Sequence, residues 1–406
     1  MRIVCVGGGP AGLYFAISAK LRDAGHQITV LERDPPQATY GWGVVYWDDL
    51  LDVLYRNDPK SAREITACSM IWQDQEIRLH NARREETAYF SGYGYSMARA
   101  ALLEILARRA SQLDIDLRYG CQVDDLSRLP EADLLVAADG ANSRIRERDR
   151  DLFGTHVELG RNLYIWLGTN KVFTSFVFSF ERTSAGWIWF HAYPSVSGIS
   201  TCIVECSPET WQGLGLDTLG DDGGLRLLEG IFQGALDGHH LISRSRGAPA
   251  SWQHFAHVSN ATWYHGSTVL AGDAAHTTHF TLGSGTRLAM IDAIVLAHSL
   301  TEYLDLPSAL REYDRHRRAE LHPQQAAART SMAWFEHLDL DDSDAVSLAY
   351  AMSVRHGGQP PWHYQLHLAT QNASVRRARR AFASGRRWYL ARHRGEPLAA
   401  SPRAAR

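Results

Sequence analysis

The stretch Arg2-Ile3-Val4-Cys5-Val6-Gly7-Gly8-Gly9-Pro10-Ala11-Gly12 decides the fold of the first part of this chain. An apolar run of β type leads into three glycines, and residues Ala11 to Ala24 then have the spacing of a helix. Glycine at Gly7 permits a tight turn, at Gly9 it lets the backbone approach a pyrophosphate, and at Gly12 it allows close packing of the helix. The stretch therefore predicts the first strand, turn and helix of a dinucleotide-binding fold.

A second strand and a carboxylate follow where this fold requires them. Residues Gln27 to Glu32 return to a strand pattern, and Glu32 follows the last glycine of the turn by about 20 residues. A carboxylate at this strand end can accept hydrogen bonds from a ribose, and the helix N-terminus favours phosphate. We predict that the dinucleotide contacts Gly7, Gly9, Pro10, Ala11, Gly12, Glu32 and Arg33. These residues alone do not distinguish FAD from NAD.

Two distant segments favour FAD. Gly272-Asp273-Ala274-Ala275-His276 follows an apolar strand and precedes Gly283-Ser284-Gly285-Thr286, after which a helix begins. The carboxylate of Asp273 can bind the hydroxyls of a ribityl chain, and the amides of Gly285 and Thr286 can face the flavin pyrimidine edge. The other segment is Asp139-Gly140-Ala141-Asn142-Ser143-Arg144-Ile145-Arg146, which follows a strand ending at Ala138.

Composition limits the remaining classes of function. The chain has 406 residues, 45% of them hydrophobic, and a net charge of -3. This length allows two or three compact units, and the charge gives no indication of nucleic-acid binding. The start of the chain resembles no leader, and no stretch approaches about 18 uncharged apolar residues, so we expect a cytoplasmic protein without a membrane span. Neither the five cysteines nor the histidine pairs have the spacing of a metal site, so we expect none.

The pattern along the chain predicts an α/β fold, α+β overall. A Rossmann-type FAD-binding domain is expected to be discontinuous, over residues 1–160 and 265–335. A β-rich substrate domain, 161–264, is inserted into it because strand-forming runs dominate there. Residues 336–406 are expected to form a helical, arginine-rich C-terminal region.

The order of these motifs resembles the group A flavoprotein monooxygenases, the class of para-hydroxybenzoate hydroxylase. Arg99 matches the helix arginine that lies near FAD in that class. Asp139, Gly140 and Arg146 belong to a segment that the resemblance ties to both FAD and nicotinamide binding. The resemblance implies FAD as cofactor, NADH or NADPH as co-substrate, and no separate nicotinamide domain. It also implies that an electron-rich aromatic ring is hydroxylated by O2 through a flavin C4a-hydroperoxide.

A narrower resemblance covers most of the chain up to about Glu336. Gly41-Trp42-Gly43-Val44-Val45, Tyr164 to Thr169 and His279 to Thr286 are similar to a branch with salicylyl-CoA 5-hydroxylase, the monooxygenase part of 2-aminobenzoyl-CoA monooxygenase/reductase and a violacein-pathway hydroxylase. The branch implies a small aromatic substrate, either a salicylyl- or aminobenzoyl-CoA-like thioester or an indole. The alternative is a flavoprotein reductase or dehydrogenase without oxygen transfer.

Three side chains are candidates for the chemistry, each with a plain structural alternative. His279 comes just before the glycine turn at Gly283 that we expect to face the flavin, but it could simply hydrogen-bond that turn. His191 in the β-rich segment could contact substrate or be a core histidine. By resemblance, Trp42 lies near the isoalloxazine with Gly43 and Val44, and core packing is its alternative.

Residues Val375 to Arg406 are rich in arginine and poor in acids. One interpretation is a solvated helix followed by a frayed tail. The other is a contact for a phosphorylated substrate carrier or an acidic partner.

Overall fold

A computed structural model describes residues 1–36, 38, 41–81, 84–196, 198–245, 249–355 and 362–394. Its strands are β1 (Arg2–Val6), β2 (Gln27–Leu31), β3 (Gly43–Tyr46), β4 (Met70–Asn81), β5 (Arg84–Ala98), β6 (Asp116–Arg118), β7 (Leu134–Ala137), β8 (Thr155–Thr169), β9 (Phe176–Thr183), β10 (Gly186–Val196), β11 (Ile199–Cys206), β12 (Leu241–Ile242), β13 (Gln253–Asn260), β14 (Tyr264–His265) and β15 (Thr268–Leu270). Its helices are α1 (Pro10–Arg22), α2 (Asp48–Asn57), α3 (Pro59–Ala67), α4 (Arg99–Ser111), α5 (Arg144–Arg148), α6 (Arg150–Phe153), α7 (Pro208–Gly213), α8 (Asp221–Ile231), α9 (Gln233–Leu236), α10 (Gly285–Glu302), α11 (Leu306–Glu336), α12 (Ala345–Val354), α13 (Trp362–Thr370) and α14 (Ala373–Arg394). The predicted α/β class is confirmed.

The first sheet has the strand order β14-β15-β7-β1-β2-β6 and is parallel except for β14. Ile3 of β1 is in register with Ile28 of β2 and Leu134 of β7, and all three side chains are buried. Buried apolar strands of this kind suit a parallel sheet that is covered on its faces. Because parallel strands end at one edge, the turns after β1, β2, β7 and β15 meet there.

The second sheet has the order β12-β8-β11-β10-β9-β4-β5-β3, and β13 also pairs with β8. Besides the strands between residues 155 and 260, it takes β3, β4 and β5 from the N-terminal part of the chain. Sequence texture did not reveal this, because strand pairing over long separations is decided by packing rather than by local composition. The predicted domain boundaries at 160 and 265 remain a prediction.

The two faces of the second sheet pack against different partners. One face carries Leu167, Phe190 and Val204 and packs against apolar residues of α8 and α9. The other face carries Phe178, Phe180 and Trp189 and packs against the end of α11 and against α12. His191 lies on this second face, in register with Phe178.

Within the described ranges, no helix is long and apolar enough to cross a membrane, and no group of three metal-ligating side chains occurs. The five cysteines are free thiols, and burial raises the pKa of Cys202 and Cys206 above the ordinary value of a thiol.

Candidate functional site

The glycine turn between β1 and α1 forms a cradle for an anion. Gly7 has a φ of 109°, and a Cβ there would lie 2.2 Å from the carbonyl oxygen of Ala138. A Cβ on Gly12 would lie 2.0 Å from the oxygen of Gly7, whereas one on Gly9 would meet nothing within 4 Å. Gly9 is the N-cap of α1 and no side chain caps that end, so the first amides of the helix are open to a ligand.

A cavity of about 560 Å³ opens from this cradle. Glu32 lies on its wall and accepts hydrogen bonds from the amides of Gly8 at 2.6 Å and Asp34 at 2.9 Å. The cavity lies within the usual size range of a cofactor site. Its polar and charged lining residues include Glu32, Arg33, Arg99, Asp139, Asn142 and Arg144.

Arg99 lines the cavity and lies within electrostatic range of both Glu32 and Asp273. It is the first residue of α4, and its amide donates to the carbonyl of Trp42 at 3.0 Å. Burial lowers the pKa of Arg99, while the charges of Asp273 and Glu32 oppose that shift. Asp273 remains accessible in the site, yet the surrounding protein raises the pKa of its carboxyl and Arg99 counteracts the rise.

Arg146 holds two of the sequence motifs together. This buried guanidinium donates to the carbonyl of Ala141 at 2.7 Å and to that of Ala274 at 3.2 Å. One oxygen of Asp139, Oδ2, accepts from the amide of Arg144 at 2.9 Å. The other, Oδ1, is buried and has no partner in the described part of the protein. A buried carboxylate oxygen in that state indicates that a ligand supplies its hydrogen bond.

The N-terminus of α10 is a second uncapped helix end. Ser284 is the N-cap, and no side chain caps the helix, which leaves the amides of Gly285 and Thr286 available. Gly283, the residue before this N-cap, packs against Val45 of β3 and against Trp47. A Cβ on Gly283 would lie 2.6 Å from Val45 and 3.1 Å from Trp47.

These features together match FAD in size and in chemistry. Two uncapped helix N-termini suit a pyrophosphate and the pyrimidine edge of a flavin, and the carboxylates of Glu32 and Asp273 suit ribose and ribityl hydroxyls. The partnerless Oδ1 of Asp139 suits a hydroxyl or amide donor of the ligand. The individual FAD contacts predicted from sequence remain predictions.

An aromatic cluster around Phe280 lies beside the α10 terminus. The ring of Phe280 is 4.1 Å from that of His279, 4.6 Å from Tyr164, 5.5 Å from His191 and 6.0 Å from Phe255. Tyr164 and Phe280 are half-buried, whereas His191 and His279 are buried, so the rings of Tyr164 and Phe280 form the accessible part of the cluster. We call the space in front of these two half-buried rings the cleft.

The two candidate histidines are buried and neutral. His279 Nδ1 lies 2.8 Å from Thr281 Oγ1, and His191 Nδ1 has no partner among the described residues. Burial lowers the pKa of each ring to about 3, and the charge of Arg355 contributes to both shifts. A histidine with such a pKa is a weak base at neutral pH, so the structure favours shaping of the cleft over proton abstraction.

Trp42 and its neighbours contact both the second sheet and the core of the first. The ring of Trp42 packs over Gly168 of β8, where a Cβ would lie 2.6 Å from the ring. Gly43 is buried, and its carbonyl accepts from the hydroxyl of Tyr193 at 3.0 Å. Val44 belongs to the core of the first sheet. Contacts of these residues with the flavin remain predictions.

Sequence reasoning missed two features of the site. Phe280 belongs to the motif from His279 to Thr286, but that motif does not indicate that the rings of Tyr164, His191 and Phe255 cluster around it. Arg355 is separated by 74 residues from Thr281, whose carbonyl it contacts. No local pattern marks such a long-range contact.

Comparison with known proteins agrees with this geometry. The model of the FAD binding domain family matches residues 123–330. Salicyloyl-CoA 5-hydroxylase of a Streptomyces species is 36% identical over 83% of this chain and 66% of its own length. The 3-hydroxy-4-methyl-anthranilyl-[aryl-carrier protein] 5-monooxygenase of Streptosporangium sibiricum is 34% identical over 92% of this chain and 99% of its own length. Protodeoxyviolaceinate monooxygenase of Chromobacterium violaceum is 28% identical over 84% of this chain and 90% of its own length.

A solved structure supports the fold. A crystal structure of 2-methyl-3-hydroxypyridine-5-carboxylic acid oxygenase has a TM-score of 0.64 at 19% identity and covers 88% of this chain and 93% of its own.

Proposed function

We propose that this chain hydroxylates the ring of an aryl thioester. The chain belongs to the family of FAD-dependent aromatic monooxygenases. The thioester carries an electron-rich ring of the salicylyl or aminobenzoyl kind. The observation that carries the proposal is the aromatic cluster of Phe280, Tyr164 and His191 beside the N-terminus of α10. Two of the relatives are named for aryl groups on coenzyme A or on a carrier protein, and both exceed 30% identity.

FAD bound in the cavity would supply the redox chemistry, since the flavin would be reduced by NADH or NADPH and would transfer one oxygen atom from O2 to the ring. Asp273 and Arg99 would hold the cofactor, and the amides of Gly285 and Thr286 would stabilise negative charge at its pyrimidine edge. The aromatic side chains would position the ring and exclude water from it.

The proposed thioester can be delivered to the cleft by a carrier protein. The position and the surface of helix α14 support this mode of delivery. The inner face of α14 is bound to the protein: Arg376 lies 3.8 Å from the centroid of the Tyr89 ring, and Arg380 pairs with Asp74. Arg394 pairs with Asp52 and lies 3.9 Å from Asp48, the residue after Trp47. The C-terminal end of α14 therefore lies beside the start of α2 and close to Trp47, whose ring packs against Gly283 ahead of α10.

The outer face of α14 is basic and aromatic. It exposes Arg386 and Arg392 together with 78% of Phe382, 53% of Trp388 and 57% of Tyr389. Such a face is complementary to an acidic protein domain. An acidic carrier on this face would present its thioester at the cleft.

The function is tested with FAD-loaded protein, NADH or NADPH, and O2. Salicylyl-CoA, aminobenzoyl-CoA, a carrier-bound salicylyl group, free salicylate and indole are compared for stimulated NAD(P)H consumption, and the products are analysed by mass spectrometry. We expect a thioester product heavier by one oxygen atom. Oxygenation of indole alone would replace the thioester by an indole substrate. NAD(P)H oxidation without oxygen in any product would indicate the reductase alternative.

A further inference from the structure

Arg355 is a partly buried cation, and its hydrogen-bond partners in the described part of the chain are all neutral. It caps the C-terminal end of α12. Its Nε donates to Ser331 Oγ at 2.9 Å and its Nη2 to the carbonyl of Thr281 at 3.1 Å, while its Nη1 donates to the carbonyl of Met352. A guanidinium has five N–H groups, so two remain after these three bonds.

The charge of Arg355 has no carboxylate to balance it within the described ranges. Burial lowers its pKa to about 10, and no acidic side chain opposes that shift. Residues 356–361, which follow it in sequence, contain no Asp or Glu. At neutral pH the group is therefore charged. Because charges removed from water are normally paired, an uncompensated one marks a place where a ligand brings the opposite charge.

Arg355 is adjacent to the aromatic cluster of the cleft. Thr281, whose carbonyl it contacts, follows Phe280, and the hydroxyl of Thr281 contacts His279. The guanidinium also lies within electrostatic range of His191 on the second sheet, since its charge helps to keep that ring neutral. A cation and two neutral imidazoles thus border one side of the cluster.

We infer that Arg355 forms an anion subsite of the cleft and binds an oxyanion, either phenolate or carboxylate, carried by the substrate's aromatic ring. The inference rests on the proposed function, because it places the aromatic ring of the substrate beside Phe280. Two bonds from one guanidinium to an anionic oxygen are charge-assisted and directional. A phenol bound there would release its proton to solvent, and the resulting phenolate is more electron-rich than the phenol. The site would then need no strong protein base, in agreement with the neutral histidines.

The inference is tested by ligand binding to the FAD-loaded protein without NAD(P)H, read from the flavin absorbance. The phenolate arm compares 2-hydroxybenzoyl-CoA with benzoyl-CoA, and the carboxylate arm compares benzoate with benzamide. We expect the unmodified protein to prefer the anion-forming ligand in one arm by about 10- to 100-fold, the range of a charge-assisted hydrogen bond. Arg355→Gln should abolish that preference and leave the affinity for the neutral ligand within about threefold.

Two variants separate an anion subsite from a structural role. Arg355→Lys keeps the charge and should restore part of the preference. Arg315→Gln removes an exposed arginine that pairs with Glu312 on α11 and should change nothing. If Arg355→Gln weakens anionic and neutral ligands equally, or if the unmodified protein has no preference in either arm, the inference is wrong. Loss of oxygenated product with an intact anion preference would instead overturn the proposed function alone.

Discussion

His276 Nε2 lies 2.7 Å from Asp292 Oδ2 in the interior behind the Gly272-Asp273 turn. Asp292 also accepts from the amide of Gly272 at 3.1 Å and from Arg317 Nε at 2.8 Å. Burial opposes ionisation of Asp292, but His276 and Arg317 together keep the pKa of its carboxyl below the ordinary value. This buried network ties α10 and α11 to the turn that carries Asp273.

Replacing Asp292 by Asn should destabilise the protein and weaken FAD binding. The change leaves the Arg317 guanidinium buried without its full partner, and breaking a buried pair costs about 3–5 kcal/mol. Urea unfolding with and without FAD measures the loss of stability, and a fluorescence titration measures FAD affinity. Arg315→Ala, at an exposed pair, should leave the free energy of unfolding nearly unchanged. A loss for Asp292→Asn no larger than for this control would contradict the role of the network.

Gly9→Ala should weaken FAD binding without destabilising the apoprotein. A Cβ at this position meets nothing in the protein, so only a ligand close to the backbone can exclude it. We expect the Kd for FAD to rise at least about tenfold, since each 1.4 kcal/mol changes affinity by that factor. The thermal midpoint of the apoprotein should not fall.

Gly230→Ala in α8 is the matched control for Gly9→Ala, because a Cβ there also meets nothing within 4 Å. It should leave FAD affinity unchanged. Unaltered FAD affinity in Gly9→Ala would show that the pyrophosphate does not approach this turn.

Acid should destabilise the protein through His191. The pKa of the His191 ring is about 3 in the folded protein, whereas the ordinary value of 6.5 applies to the unfolded chain. Between these two pH values the unfolded chain therefore binds a proton that the folded protein does not. The stabilising contribution is complete above pH 6.5 and is lost progressively as the pH falls towards 3. At pH 5 the loss amounts to about 2 kcal/mol.

His191→Phe keeps an aromatic ring between Phe176 and Phe280 but removes the titrating group. Its free energy of unfolding should decline less between pH 7.5 and 5 than that of the unmodified protein. Exposed His298→Asn should leave the decline as it is. Parallel pH curves for the His191 variant and the unmodified protein would argue against a depressed pKa.

Charge reversal on the outer face of α14 should impair only the carrier-bound substrate. We expect Arg386→Glu with Arg392→Glu to lower kcat/KM for a carrier-bound salicylyl group about tenfold at low salt, because like charges then face the acidic carrier. The kcat/KM for salicylyl-CoA should stay within about twofold. Lys60→Glu with Arg311→Glu, two exposed positions outside α14, gives the same change in net charge and should affect neither substrate. Equal activity of the α14 variant on both substrates would mean that this face is only solvated surface.

Much of the nucleotide-binding half could be predicted because its determinants are local. The turn from Gly7 to Gly12 needs small residues at fixed spacing after a strand, and such a requirement is visible in any single sequence. The same holds for the segments at Asp139 and Asp273, each of which follows an apolar strand. Their order along the chain was sufficient to indicate FAD and the monooxygenase family, and the family matches confirm both.

The arginines of α14 illustrate the limit of local patterns. The sequence allowed either a solvated helix or a docking contact, but the structure divides the arginines between two faces. Arg380 pairs with a largely buried Asp74, whereas Arg386 stays exposed. Deleting the whole segment would therefore disturb packing as well as any docking.

By itself, the sequence determined the βαβ nucleotide fold, the flavin and the class of reaction, because short-range spacing of glycines and carboxylates specifies them. Only the tertiary structure decided that β3, β4 and β5 join the second sheet and that the rings gather around Phe280. It also decided that Arg355 reaches Thr281 across 74 residues, with no carboxylate paired to it among the residues that the structure describes. Contacts of this kind depend on how distant segments pack together. A pattern read along the chain carries no information about which distant residues meet in space.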